Sequence, residues 1–248
     1  GFLITSLSSG AEIFLFQKKL KRLSFLTEFI LRTLFYVVLI SFSNLLVVVI
    51  HESLEDEVGI IDALLGNDVR GFLETDFTYI FLFALAGSLS INFIWQINRM
   101  LGKGVLMNVI LGRYRRPMSE KKIFMFLDLK SSTTLAEKLD PYSYSKVLQE
   151  FFNDITDPVI NCSGEIYQYV GDEVVLMWDI NKGLDNNNCL NCFYMIQEKV
   201  NERKNTYINE FGFVPQFKAG VHIGEAIVTE VGELKKGIVY HGDVLNTA

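Results

Sequence analysis

Cysteine, proline and histidine are scarce in this chain, and so is any surplus of positive charge. Three cysteines and four prolines in 248 residues leave no material for a disulfide-stapled secreted scaffold or a Pro-rich spacer. Cys189 and Cys192 form a lone C-x-x-C inside a predicted helix. With no second pair and no histidine at zinc spacing, they read as packed free thiols. His222 follows Val221 on a predicted strand and reads as a packed strand residue rather than a ligand. Lys and Arg total 23 against 29 Asp and Glu, a net charge of −6, which argues against a nucleic-acid partner. Internal repeats and low-complexity tracts are absent. The chain also has no initiator Met and no signal peptide, so it is expected to be truncated at its N-terminus.

What the chain has in excess is apolar residues. Half of it is apolar, and the excess lies before residue 110. Phe29 to Ile50 is interrupted only by Arg32 and a few Thr, Ser and Asn, and Tyr79 to Ile97 carries no charge. Each reaches the roughly 20 residues that a helix needs to cross hydrocarbon. Between them lies HESLEDEVGIIDALLGNDVRGFLETD, with eight acids against one Arg. Basic residues flank the pair outside: Lys18, Lys19, Lys21, Arg22 and Arg32 before it, Arg99, Lys103, Arg113, Arg115 and Arg116 after it. This is a positive-inside pattern. It predicts a multi-pass protein of the inner or plasma membrane, in contact with lipid, with the acidic loop outside and the second half in the cytoplasm. Residues 1–16 look like the exit end of an earlier membrane helix, giving a transmembrane region over 1–97 with helices at about 29–50 and 79–97.

Residues 98–119 read as a linker. Met100, Leu101, Val105, Met107, Val109, Ile110 and Leu111 line one helical face, which Gly102, Gly104 and Gly112 weaken and Pro117 ends. Such a segment serves either as a dimerising helix that sets the angle between two domains or as a basic tether on anionic lipid.

Residues 120–248 carry the chemistry. IFMFLDLKSSTTLAEKL reads as a buried strand with Asp128 at its end, followed by a small polar turn, Ser131, Ser132, Thr133 and Thr134, that opens a helix. Free N–H groups in such a turn suit a polyphosphate. GEIYQYVGDEVVLMW reads as a hairpin with Asp172 at its Gly-Asp turn. Two carboxylates on neighbouring strand ends suit divalent ions that also bind nucleotide phosphates. Singly, each reads as a cap or a turn. A third element, FKAGVHIGEAIVTEVG then GIVYHGDVLNTA, reads as a strand, a tight Gly-Glu turn, a second strand and a Gly-Asp-x-x-Asn helix start.

In the order and spacing of these three elements the chain resembles the class III nucleotidyl (adenylate/guanylate) cyclases, from Glu120 to Ala248. The resemblance implies an α+β, ferredoxin-like catalytic domain of order β-α-α-β-β-α-β behind a membrane α-helical N-terminal region, working as a homodimer on ATP with two Mg²⁺ or Mn²⁺. Asp128 and Asp172 match the family's metal-binding aspartates, and the carbonyl of Leu129 matches the main-chain ligand between them. Ser131, Ser132 and Thr133 match the turn that holds the triphosphate, and Asn246 the asparagine that positions the ribose in the partner's site. Gln168 stands where adenylyl cyclases carry a purine-reading Lys, and Val239 where an Asp or Thr meets the adenine amino group. An amide pairs with adenine or guanine by flipping, whereas Val239 offers nothing polar, so Tyr240, His241 or backbone groups are left to select the base. The family's transition-state Arg is expected just past Ala248. The expectation is a membrane-anchored adenylyl cyclase, against three alternatives: a guanylyl cyclase, a nucleotide-binding pseudocyclase receptor and a diguanylate cyclase. The last lacks its doubled glycine and Glu-Phe here, where the text reads Val170-Gly171-Asp172-Glu173-Val174.

Overall fold

Ser24 starts the first long helix by accepting from the N–H of Thr27 at 3.3 Å, a serine cap. The computed structural model describes residues 24–55, 57–101, 105–234 and 236–248. The expected partial helix over 1–16, the basic residues 18–22 and the linker positions Gly102, Lys103 and Gly104 lie outside them. Two compact units divide at Met100 and Leu101.

In the first unit, α1 (Phe25–Glu55) leads through α2 (Ile60–Leu64), α3 (Asn67–Gly71) and a π-helical turn (Phe72–Asp76) into α4 (Phe77–Leu101). Two helical stretches, Phe25–Glu55 and Ile60–Asn98, are long and apolar enough to cross a membrane, and only 17% of each most apolar window is buried. A core helix of a soluble protein would be mostly covered. Here Leu26, Leu34, Val38, Phe42, Tyr79 and Phe83 are exposed, while polar side chains are enclosed. Glu28 and Arg32, each 1% exposed, pair at 3.1 Å, and the Arg32 guanidinium lies 3.9 Å over the Trp95 ring of α4. Asn92 donates to the Thr33 hydroxyl at 3.2 Å, and Gln96 donates to the carbonyl of Phe25 at 3.3 Å. Apolar outside and polar groups inside is the arrangement that lipid favours. These pairs satisfy most of the enclosed groups, while Ser41 Oγ, Ser88 Oγ and Gln96 Oε1 are buried without a hydrogen-bond partner among the described residues. The sequence reading took Arg32 as a flanking charge. The structure corrects this, because an ion partner and a ring on the neighbouring helix make burial tolerable.

The second unit contains α5 (Val105–Ile110), β1 (Met118–Leu129), α6 (Ser132–Lys138), α7 (Pro141–Asn161), β2 (Glu165–Val170), β3 (Glu173–Asp179), α8 (Ile180–Leu184), a 3₁₀ turn (Asp185–Asn187), α9 (Asn188–Glu202), α10 (Lys204–Phe211), β4 (Phe217–Val231), β5 (Gly237–His241) and α11 (Asp243–Thr247). One antiparallel sheet of order β2-β3-β1-β4-β5 organises it, an α+β ferredoxin-like arrangement with a fifth strand at its edge.

Alternation along β1 assigns the faces. Ile123, Met125, Leu127 and Leu129 pack with Phe151 and Ile155 of α7 and Cys192 and Ile196 of α9. Each fully buried side chain of this kind contributes roughly 1.5–3 kcal/mol. Phe124 and Phe126 face the other way, toward Tyr167, Tyr240 and Val244. There the sheet curls enough for its two edge strands to touch, since the Tyr240 N–H donates to the Tyr167 hydroxyl at 3.1 Å. Tyr114, ahead of β1, is buried in this second cluster, and its carbonyl accepts from the Glu230 N–H at 2.8 Å.

Helix α7 starts where its sequence says it should. Asp140 accepts from the N–H groups of Tyr142 and Ser143 at 3.0 and 3.1 Å, and Pro141 occupies the first turn. Across the helices, Arg203 pairs with Asp154 and Glu150, and the Tyr207 hydroxyl donates to Asp154 at 2.7 Å. The expected Gly-Glu turn at Gly224-Glu225 does not form. β4 runs straight through it, paired with β1 from Phe217 to Val228. Gly224 serves close approach instead, because a Cβ there would stand 3.0 Å from the Cβ of Val244 on α11. All three cysteines are free and buried, burial raises the Cys192 thiol, and His222 is half-buried on β4 opposite Phe124.

Trp178, 1% exposed, donates its indole N–H to the Cys162 carbonyl at 3.0 Å and fills the space left by Gly164. A Cβ on Gly164 would sit 2.9 Å from three indole atoms. Gly164→Ala is therefore expected to cost about 1–3 kcal/mol of stability, read as a lower urea midpoint in detergent. Hydrogen bonds from Lys122 and then Lys182 hold the Asp179 carboxyl down at about 2. A depressed carboxylate stabilises the fold above its unfolded pKa, near 4, and loses that contribution as the pH falls toward 2. The Asp179 side chain is 46% exposed, so the contribution stays under about 1 kcal/mol. Urea midpoints of wild type and Asp179→Asn should differ at pH 5 and draw together as the pH falls toward 2.

Candidate active site

The central strand sets this site. At the end of β1, Asp128 stands in register with Glu173 on β3 and Lys218 on β4. All three side chains lie on the same face of the sheet and line a cavity of about 260 Å³ with Phe126, Ala219, Gly220 and Ala248. Lys218 Nζ is 3.0 Å from Asp128 Oδ2.

Asp172 sits in the β2–β3 hairpin, where Gly171 adopts φ +63°, a left-handed conformation that glycine takes at little cost. Partial burial pushes the Asp172 carboxyl up. Hydrogen bonding with Ser132 and with Asp128, its own N–H and the Lys218 charge outweigh that and leave it below the usual range. Asp128, Asp172 and Ser132 thus meet in one place. Burial, then the charges of Asp128 and Asp172, raises Glu173; burial and the same two carboxylates raise Tyr144 on α7.

Ser131 takes the left-handed conformation, φ 59°, and caps α6 through its backbone. Ser131 and Thr133 are exposed and Ser132 is half-buried, and the first-turn N–H groups of α6 have no helical partner. Leu129 ends β1 opposite Phe217. Its side chain is in the core, so only its main chain is available to the site. Gln168 is exposed on edge strand β2, just past a register shift between Ile166 and Gln168. Val239 is half-buried on the opposite edge, β5, and Asn246 is exposed on α11. None of these three lines the Asp128 cavity.

Glu173, Lys218 and Tyr144 were not foreseen from sequence. Glu173 adjoins Asp172 and could have been found as part of an acidic pair. Lys218 is the lone cation in the FKAG strand, and only the β1–β4 register shows whom it faces. The donor set suits an oxygen-seeking divalent ion: two close carboxylates, a third nearby, and an ammonium already drawn to them. Lys218→Met removes that cation. It should lower the melting temperature in chelator, by an amount worth under about 1 kcal/mol because the lysine is mostly exposed, and millimolar Mg²⁺ should restore it.

No protein-family model matches the chain. It is 33% identical to adenylate cyclase 2 of Rhizobium meliloti (strain 1021) over 168 residues, 68% of this chain and 46% of that protein. It is 30% identical to adenylate cyclase 1 of the same strain over 130 residues, 50% of this chain and 19% of that protein. The chain therefore spans less than half the length of the curated relatives it matches. A solved bacterial light-regulated adenylyl cyclase superposes on 67% of this chain and 50% of its own at a TM-score of 0.55 and 19% identity, a likeness of fold. With the sheet and these relatives together, the chain is related in sequence to adenylate cyclases and has the catalytic fold of the class III adenylyl/guanylyl cyclases.

Proposed function

We propose that the protein is a membrane-anchored adenylyl cyclase, which forms cyclic AMP and pyrophosphate from ATP as a homodimer. The observation that carries this reading is the meeting of Asp128, Asp172 and Ser132 beside the exposed first turn of α6, in a chain related to named adenylate cyclases.

Asp128, Asp172 and the main chain of Leu129 would hold two Mg²⁺ or Mn²⁺. When bound, such ions acidify the ribose 3′-hydroxyl and neutralise the departing pyrophosphate. The chain's own residues bind and orient. Ser131, Ser132 and Thr133 receive the triphosphate on first-turn N–H groups. Lys218, now paired with Asp128, would be free to meet phosphate oxygens once Asp128 held a metal. The 3′-oxygen attacks the α-phosphorus, the bond to pyrophosphate breaks, and the hydroxyl proton leaves to solvent. Asn246 orients the ribose, and Gln168 with Val239 lies against the base. Their placement away from the Asp128 cavity supports a site completed by a second copy. The basic flanks put the nucleotide domain in the cytoplasm, and lipid covers the exposed apolar faces of α1 and α4.

A guanylyl cyclase is the second reading, which the Gln168 amide permits because it pairs with guanine as well as with adenine. Full-length protein in detergent with Mn²⁺, given ATP and GTP separately, should yield cyclic AMP alone. Cyclic GMP would select the second reading, and silence with both would favour a nucleotide-binding pseudocyclase receptor. Asp128→Asn and Asp172→Asn should each lower turnover by about 100-fold or more. Both variants should stay folded, with circular dichroism spectra like that of the wild type. Near-normal turnover in either would overturn the two-metal reading.

A further inference from the structure

Where α1 ends and the chain turns back toward α4, a ring nitrogen of His51 and carboxylate oxygens of Glu55 and Asp68 all lie within 4.8 Å of one another. His51 and Glu55 are one helical turn apart on α1, with Nδ1 3.4 Å from Oε2. Asp68 comes from α3 and is held there by a separate, buried device. The Glu52 carboxylate, on a residue 4% exposed, accepts from the N–H groups of Asp68 and Val69 at 3.3 Å each. Gly66 makes room for it, since a Cβ there would fall 1.7 Å from Glu52 Oε1. Val49, Ala63 and Val69 pack beneath. Asp68 is thus positioned by capping and packing, and its carboxylate is left to face His51 and Glu55.

We propose that His51, Glu55 and Asp68 form a binding site for a first-row transition metal of the Zn²⁺ class. The imidazole selects the class, because an all-carboxylate cluster would suit Mg²⁺ or Ca²⁺, whereas a nitrogen donor beside two carboxylates favours Zn²⁺ and its neighbours. Zinc–ligand bonds of about 2.0–2.2 Å need donors somewhat closer together than they stand, which side-chain rotation of three exposed residues provides. Water completes the coordination. Among the described residues this is the one place where three side chains of metal-binding type come together so closely. A bound ion would tie the end of α1 to α3, giving the membrane half a chemical input. That the input comes from the side opposite the nucleotide domain rests on the topology proposed above.

The test uses the full chain in detergent with Asp128→Asn and Asp172→Asn in place to silence the nucleotide site, stripped with chelator and titrated with Zn²⁺ against a chromophoric competitor. One equivalent is expected to bind, unaffected by millimolar Mg²⁺. His51→Ala and Asp68→Asn should each weaken it roughly tenfold or more, while Asn67→Ala should not, and circular dichroism should show equal helix content in all three. Unchanged Zn²⁺ affinity in both ligand variants would overturn the site. Sidedness is read separately: an impermeant chelator should strip the ion from right-side-out vesicles. Failure there, with binding intact in detergent, would overturn the orientation and leave the site standing.

Discussion

Carboxylates repel one another, and the nucleotide domain brings three of them, Asp128, Asp172 and Glu173, to one end of its sheet. The cost shows in Glu173, which burial and then its two acidic neighbours push toward the protonated form. The arrangement persists because the sheet leaves no alternative. β1 is the central strand and is paired on both sides along its length, so Asp128 cannot move without breaking the register with Glu173 and Lys218. The hairpin turn at Gly171 then places Asp172 beside Ser132. Lys218 offsets part of the repulsion from a mostly exposed position, which limits what it can contribute. The cyclase fold therefore maintains a negatively charged cavity beside a helix start, and a cation with phosphate attached complements both at once.

The apolar N-terminal unit obeys the opposite rule. There the apolar side chains face outward, and the groups that would be most costly in hydrocarbon are turned inward and paired: Glu28 with Arg32, Arg32 also with the Trp95 ring, Asn92 with Thr33. The same polar groups that make α1 and α4 look imperfect as membrane spans are the ones that specify how the two helices pair. The Glu52–Gly66 contact repeats this logic at the turn between them, with a buried carboxylate capping a short helix that carries no capping side chain of its own.

What could be read in the sequence was whatever depends on neighbours along the chain. Asp128 after an apolar run, Asp172 in a Gly-Asp hairpin and two apolar runs of spanning length all announce themselves locally. What could not be read depends on partners distant in sequence. Lys218 is ninety residues beyond the aspartate it faces, Arg32 meets a tryptophan on another helix, and Asp68 reaches His51 only because Glu52 captures its backbone. Gly224 was misread for the same reason. A glycine before a charged residue signals a turn unless an approaching helix explains it, and Val244 supplies that explanation. Gln168 and Val239 were legible as departures from the family pattern, but their places on opposite edge strands follow only from the sheet order.

The central claim is that one active site is assembled from two copies, the carboxylate cluster from one and Asn246 from the other. The most direct measurement mixes two variants of the full-length protein, each silenced on a different half of the site: Asp172→Asn and Asn246→Ala. Each alone should be nearly inactive. Co-expressed, random pairing makes about half of the dimers mixed, and each mixed dimer holds one intact site of two, so about a quarter of wild-type cyclic nucleotide formation should return if the sites act independently. No recovery, with dimers and folding verified for both variants and for the mixture, would contradict a shared site.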